Sequence, residues 1–404
     1  MPDLILGESL EVLIDHRGKT PRKLGGDFVR QGVPVASALL VKDGRLALGE
    51  ARCVTEEMYG RWMSVSLKRH DVLLTSEAPL GRVALVPDDS PLVLGQRLFG
   101  LRGKAGVLDS RFLFYALQTD AVQSELRGRA TGTTVAGIRQ SELVRVRIPA
   151  PSYPEQVAIA AVLGALDEKI AVNDRIVENS YELVQAQWTK SALGARNFVP
   201  VSQLAEVNKG LSYKGSGLGG SVPLVNLGNF STDGRFKGSA LKYYDGESKD
   251  RHWVSRGGLL MANTDLTQRR EILGQPALAM TDAERALFTH HVFAIRPHAG
   301  VEGDLLWLYG AFRDPLFRER AITYATGTTV VALPRDAVLT YEVPWPGQKI
   351  RRDWSDKAQA LIDDTAARSG ENRTLSHLRD ALLPGLMSGG IRVRDAESAV
   401  EDAT

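Results

Sequence analysis

Cys53 is the only cysteine in 404 residues, so no internal disulfide and no cysteine-built zinc cluster can hold this chain together. No apolar run approaches the roughly 18 residues that span a bilayer. The opening MPDLILGESLEVLID has neither a basic start nor a long apolar stretch, so no signal peptide is expected and the chain reads as cytoplasmic, with no membrane partner. Charge of one sign is also lacking: the net charge is +2. Residues 1–150 carry 21 Lys/Arg against 17 Asp/Glu and 196–346 carry 17 against 15, whereas 151–195 carry 3 against 6 and 347–404 carry 9 against 10. Nucleic-acid binders usually show a stronger basic bias, so here any such role requires the positive groups to share one face. HExxH, GxxxxGK[ST] and DPPY-type motifs are missing. Gly217–Gly220 is glycine-rich without a following phosphate-binding helix. His290 and His291 are neighbours, which on a strand would face opposite ways and not chelate together. We expect no catalytic residue, no metal and no cofactor in this chain.

What the chain does have is itself, twice. Ala130–Ser141 (ATGTTVAGIRQS) returns 195 positions later as Ala325–Asp336 (ATGTTVVALPRD). Ile148-Pro149-Ala150-Pro151 is followed in the same way by Val343-Pro344-Trp345-Pro346. A period this long is not that of a solenoid, whose units run about 20–50 residues. Upstream landmarks repeat too: Val33-Pro34-Val35 then Asp43-Gly44-Arg45, against Val222-Pro223-Leu224-Val225 then Asp233-Gly234-Arg235. Arg111–Arg127 has helical spacing with Phe112, Tyr115, Ala116, Ala121, Val122 and Leu126 on one stripe, and Leu305–Arg318 mirrors it. Short β-type runs between turn residues fill the rest.

Two long helices follow the two globular parts. From Pro154, well placed in a first turn, a run to about Leu193 contains no internal Pro. Ile159, Leu163, Leu166, Ile170, Asn173, Val177, Ser180 and Val184 alternate in steps of four and three, a coiled-coil seam about 55 Å long. The second seam, Trp354, Ala358, Leu361, Thr365, Arg368, Asn372, Leu375, Arg379 and Leu382, is less apolar, and Gly370 is a candidate break. Asn173 and Asn372 both occupy seam positions. A buried Asn needs a partner across the seam, so the pair is expected to set the register of two antiparallel helices.

The doubled ATGTT loop, Ile148-Pro149 with Pro154-Glu155-Gln156, Leu166-Asp167-Glu168-Lys169-Ile170 with Asn173, and Leu378–Gly389 (LRDALLPGLMSG) together give a chain that resembles the specificity subunit of type I restriction-modification systems. The resemblance implies a mixed α+β fold: two similar α/β target recognition domains, separated and joined by two long antiparallel coiled-coil helices with pseudo-twofold symmetry. The corresponding boundaries are 1–152 and 196–347 for the domains, 153–195 and 348–390 for the helices, and 391–404 for a flexible acidic tail. It further implies a non-catalytic subunit that reads a bipartite, asymmetric double-stranded DNA target. The helices would set the spacing and dock two methyltransferase subunits, which carry S-adenosylmethionine, and the assembly can recruit ATP-dependent restriction subunits. The second helix lacks the Pro-Glu-Gln start, having Gln348–Asp353 (QKIRRD) instead, so docking there is expected to be less symmetric.

Arg and Lys read guanine, and Asn and Gln read adenine, so polar groups of the divergent loops are the candidate DNA contacts. In the first domain these are Lys19, Thr20, Arg22, Lys42, Arg45, Ser76, Glu77, Arg82, Gln96 and Arg97. In the second they are Lys209, Tyr213, Lys214, Asn226, Asn229, Arg235 and Lys237, with Asn263, Thr264, Asp265, Gln268, Arg269 and Arg270 as the densest cluster. The loop hydroxyls Thr131, Thr133, Thr134, Thr326, Thr328 and Thr329 suit phosphate oxygens, or alternatively form a structural turn. Two other classes compete: a coiled-coil scaffold with two protein-binding heads, and an enzyme acting on nucleic acid. Salt-dependent binding to duplex DNA separates the first from a DNA reader.

Overall fold

The computed structural model describes every residue except 1, 43, 133, 134, 214, 268, 329, 403 and 404. The chain forms two compact units: residues 1–172 with 372–404, and residues 173–371. The two long helices are therefore not domains of their own, because each unit takes half of each. The helices run Tyr153–Ala192 and Gln348–Ser388.

In the first unit a four-stranded sheet holds the centre. Its strands β1 (Leu10–Asp15), β2 (Val72–Thr75), β3 (Val83–Leu85) and β4 (Leu98–Gly103) lie in the order β1-β4-β2-β3, all antiparallel. Val72, Leu74, Phe99 and Leu101 pack beneath Phe112, Leu113 and Leu163, Leu166 of the first long helix. In the second unit β5 (Ala205–Lys209), β6 (Leu259–Ala262), β7 (Pro276–Leu278) and β8 (Val292–Pro297) repeat this order as β5-β8-β6-β7. The duplication is legible bond by bond. Leu6 N–H donates to Val146 O and Val201 N–H to Tyr341 O, each 2.9 Å; Ala150 N–H donates to Pro2 O and Trp345 N–H to Asn197 O at 3.0 and 2.8 Å.

The seam of the first long helix is buried at every expected position, from Ile159 to Val184. Within each unit the helix halves run antiparallel. In the first, Asn372 Nδ2 donates to Ile170 O at 3.3 Å and Arg379 pairs with Asp167 at 2.7 Å. In the second, Trp354 Nε1 donates to Val184 O at 3.4 Å, and Val177, Tyr181, Val184 and Trp188 pack with Trp354, Ala358 and Ile362. Asn173 is fully buried: its Nδ2 donates to Glu371 Oε2 at 2.8 Å and its Oδ1 accepts from Arg368 Nη1 at 3.2 Å. The seam arginine thus satisfies the seam asparagine.

Four expectations need correction. Gly370 does not interrupt the second helix, which also passes through Pro384. The Arg111–Arg127 helix is two, Ser110–Ala116 and Asp120–Gly128, because Thr119 caps the second by accepting from Val122 N–H; Ala121 is exposed. Its mirror likewise breaks at Asp314, whose side chain caps Pro315–Thr323. The tail is not flexible over Val393–Glu401: Val393, Ala396 and Val400 recur at helical spacing and Ala396 is wholly buried in the first unit's core.

Candidate nucleic-acid interface

The ATGTT loops are built by backbone geometry. Thr131 and Gly137 exchange hydrogen bonds of 2.8 and 2.9 Å, as do Thr326 and Ala332 at 2.9 and 2.8 Å. Between them the chain turns at Gly132 (φ +111°) and Gly327 (φ +95°), where an added Cβ would lie 2.4 Å from Val135 O or 2.3 Å from Val330 O. Only glycine fits such a turn, which gives the repeated TG a structural reason. The Thr131, Thr326 and Thr328 side chains are exposed on it, while Thr133, Thr134 and Thr329 lie outside the described residues.

Each loop is tied to the same place on its sheet. In the first unit Ile138 N–H donates to Ser76 O, and Ser76 N–H to Arg97 O, both at 2.9 Å. In the second, Leu333 N–H donates to Asn263 O at 2.8 Å and Asn263 N–H to His291 O at 2.9 Å. This common frame carries different chemistry. On the first unit Glu77 and Arg97 form an ion pair of 2.9 Å, both side chains substantially exposed. At the matching place Thr264 Oγ1 lies 2.8 Å from His291 Nδ1. Burial lowers the His291 pKa, with His290 and Lys209 adding to the effect, so this couple is neutral at pH 7. His290 and His291 sit in a turn before β8, not in a strand, and their rings stack at 3.9 Å.

Several sequence candidates are withdrawn from the surface. Ser76, Asn229, Asn263, Thr264 and Asp265 are buried. Asn229 and Asn226 lock a turn together: Asn229 Nδ2 donates to Lys237 O at 2.7 Å, and Asn226 Nδ2 to Ala240 O at 2.8 Å. Asp265 accepts from Thr267 N–H and Oγ1 at 2.7 and 2.8 Å and from Ile272 N–H at 2.7 Å. Arg318 donates to the carbonyls of Leu273 and Arg270, and Arg270 Nη1 to Ile322 O at 3.2 Å. These bonds fix the 266–272 loop, which displays Leu266 and Arg269, the latter with 86% of its side chain exposed. Gln268 and Lys214 lie outside the described residues.

Other candidates also serve the scaffold. Lys19 Nζ donates to Trp62 O at 2.8 Å and Gln96 Nε2 to Lys19 O at 2.9 Å, while Thr20 Oγ1 accepts from Lys23 N–H at 3.2 Å. Tyr213 takes a hydrogen bond of 3.2 Å from Lys242, and Arg235 pairs with Asp233. Arg22, Arg45, Lys209 and Lys237 are exposed. Lys42, paired with Glu50 at 2.9 Å, and Arg82 line an open cleft of about 560 Å³ with Gly44, Gly81 and Gln123. Sequence reasoning missed Arg17, which stacks 5.0 Å over Phe99 and whose Nη1 reaches Ile138 O at 3.5 Å, and Arg139, which shares a cleft with Arg129 and Thr131. It missed His291 as well; in each case the signal is proximity to a loop, which only the fold supplies.

Among the described residues no group of His, Cys, Asp and Glu could hold a metal ion, and no helix is long and apolar enough to cross a membrane. A family model described as the type I restriction modification DNA specificity domain matches residues 8–179. The MjaIX specificity subunit of a type I restriction enzyme from Methanocaldococcus jannaschii is 26% identical over 348 residues, covering 80% of this chain and 78% of that one. The MjaVIII specificity subunit from the same organism is 27% identical over 151 residues, or 36% of each chain. In fold, the crystal structure of a type I restriction-modification S subunit from M. genitalium aligns over 95% of both chains with a TM-score of 0.61 at 16% identity. With two units built on one frame, the chain is similar along most of its length to specificity subunits of type I restriction-modification systems, and residues 8–179 match the DNA specificity domain of that family.

Proposed function

We propose that this protein is a non-catalytic, sequence-specific DNA-binding subunit whose two units each read one half of a bipartite, asymmetric duplex target. One observation carries the reading: the two units repeat the same hydrogen-bonded frame around the ATGTT loop, yet present different side chains and different loop lengths from it. The frame positions and the variable groups specify, which is the division of labour seen between backbone and base contacts on DNA. The exposed threonines and the Lys42–Arg82 cleft supply groups for phosphate oxygens.

The paired long helices set the spacing between half-sites and dock two methyltransferase subunits. S-adenosylmethionine binds to those subunits, not to this chain. The assembly works in the cytoplasm and can engage ATP-dependent restriction subunits. Selection from a randomised duplex library, with the full chain co-purified with its methyltransferase partners, tests this. Two short specified blocks separated by unread bases are expected, and a single continuous block refutes the bipartite reading.

A further inference from the structure

The frame common to the two units singles out one pair of positions. Where backbone bonds are the same and side chains are not, the side chains are free to set specificity. At the first unit's frame those side chains are Glu77 and Arg97, at the second's Thr264 and His291. Arg97 is further marked by its backbone, held at φ +65° with its carbonyl accepting from Ser76 N–H. Left-handed backbone at a non-glycine residue is strained and persists where the surroundings enforce it, often where a side chain must be aimed.

Resting on the DNA-reading function above, we infer that Glu77 and Arg97 act as one unit to read a single G·C pair in the first half-site. Guanine offers N7 and O6 as acceptors in the major groove, and its partner cytosine offers the N4 amino group as a donor beside them. A guanidinium and a carboxylate already held 2.9 Å apart match that edge as donor beside acceptor. The side chains are 58% and 40% exposed, so the couple is open to a ligand. Glu77 has a second task. Facing DNA alone it would be repelled by phosphate, but paired with Arg97 it approaches as a neutral couple and orients the guanidinium. At the matching place of the second unit Thr264 is buried and bonded to His291, so no charge pair of this kind faces out there.

The test compares the full chain with Arg97→Gly and Glu77→Ala by selection from a randomised duplex library and by affinity across a salt series. Glycine keeps the left-handed backbone without strain, so the frame survives the first change. The second half-site block reports folding internally. We expect Arg97→Gly to lose discrimination for G·C at one position of the first block by about 5- to 150-fold, with the second block unchanged. Glu77→Ala should weaken the same position and no other. If Arg97→Gly instead lowers affinity for all sequences alike and reduces the salt slope by about one, Arg97 holds a phosphate and the proposal fails. Unchanged blocks in both variants leave only a surface ion pair and also overturn it. If the parent chain yields no blocks at all, the DNA-reading function itself is lost, a result distinct from either.

Discussion

Asp265 offers the sharpest test of how the second unit builds its reading surface. Its carboxylate is wholly buried and accepts hydrogen bonds of 2.7, 2.8 and 2.7 Å from Thr267 N–H, Thr267 Oγ1 and Ile272 N–H, closing the base of the 266–272 loop. In Asp265→Ala water reaches the exposed Thr267 and replaces much of what it loses. Ile272 is half-buried, and a buried donor left unmet costs about 1–3 kcal/mol. The loop is thus loosened by about 1–3 kcal/mol, well below the 5–15 kcal/mol that holds an ordinary domain together. Folding should survive while the second half-site is read poorly. Asp265→Asn keeps one oxygen as an acceptor and sets an amide N–H against a backbone N–H at the other, so an intermediate effect is expected. Selection from randomised duplex DNA reads both variants at once: the first block should persist and the second should blur, more for alanine than for asparagine. Equal loss of both blocks would mean that the carboxylate supports the whole fold, and an intact second block in Asp265→Ala would mean that the loop does not read DNA.

Two further outcomes follow from geometry and charge. Gly132→Ala places a methyl group 2.4 Å from Val135 O at φ +111°, and Gly327→Ala one 2.3 Å from Val330 O at φ +95°. Each should weaken its own half-site block alone, and loss of the opposite block would contradict the assignment of one loop to each unit. His16 is buried, with its pKa lowered from 6.5 by burial and by Lys19. Its folded-state pKa lies below the unfolded one, so its contribution to stability is complete above about pH 6.5 and is lost as pH falls through the folded value. Melting temperatures between pH 5 and 8 should therefore drop on the acid side, and less so in His16→Leu, which installs the residue found 195 positions on at Leu211. An unchanged acid slope in that variant would count against His16 as a contributor.

How much of this was legible in the sequence depends on what decided each feature. The Ile159–Val184 seam and the doubled ATGTT loop are local patterns, so spacing alone located them. The breaks at Thr119 and Asp314 were hidden inside stretches with apolar residues at helical spacing, because a cap is a side-chain hydrogen bond that periodicity does not register. Asn263 and Asp265 have the residue types of base readers, yet tertiary packing turned them inward, Asn263 to donate to His290 O and Asp265 to hold the loop that carries Arg269. Glu77 and Arg97 could each be suspected as loop charges, but nothing in a linear chain says that residues 20 positions apart meet on a frame shared with Thr264 and His291. The helical tail was obscured by its acidic composition, although Val393, Ala396 and Val400 spell one apolar stripe.

The first unit's core includes Leu375, Leu382, Leu386, Met387 and Ala396, residues from the far end of the chain. A ribosome delivers residues 1–172 long before it delivers 372–404, whereas everything the second unit needs, 173–371, emerges in one uninterrupted stretch. Order of synthesis and order of completion are therefore reversed: the N-terminal unit is the last to close. A nonsense mutation near residue 372 would spare the half that is made second and cripple the half that is made first.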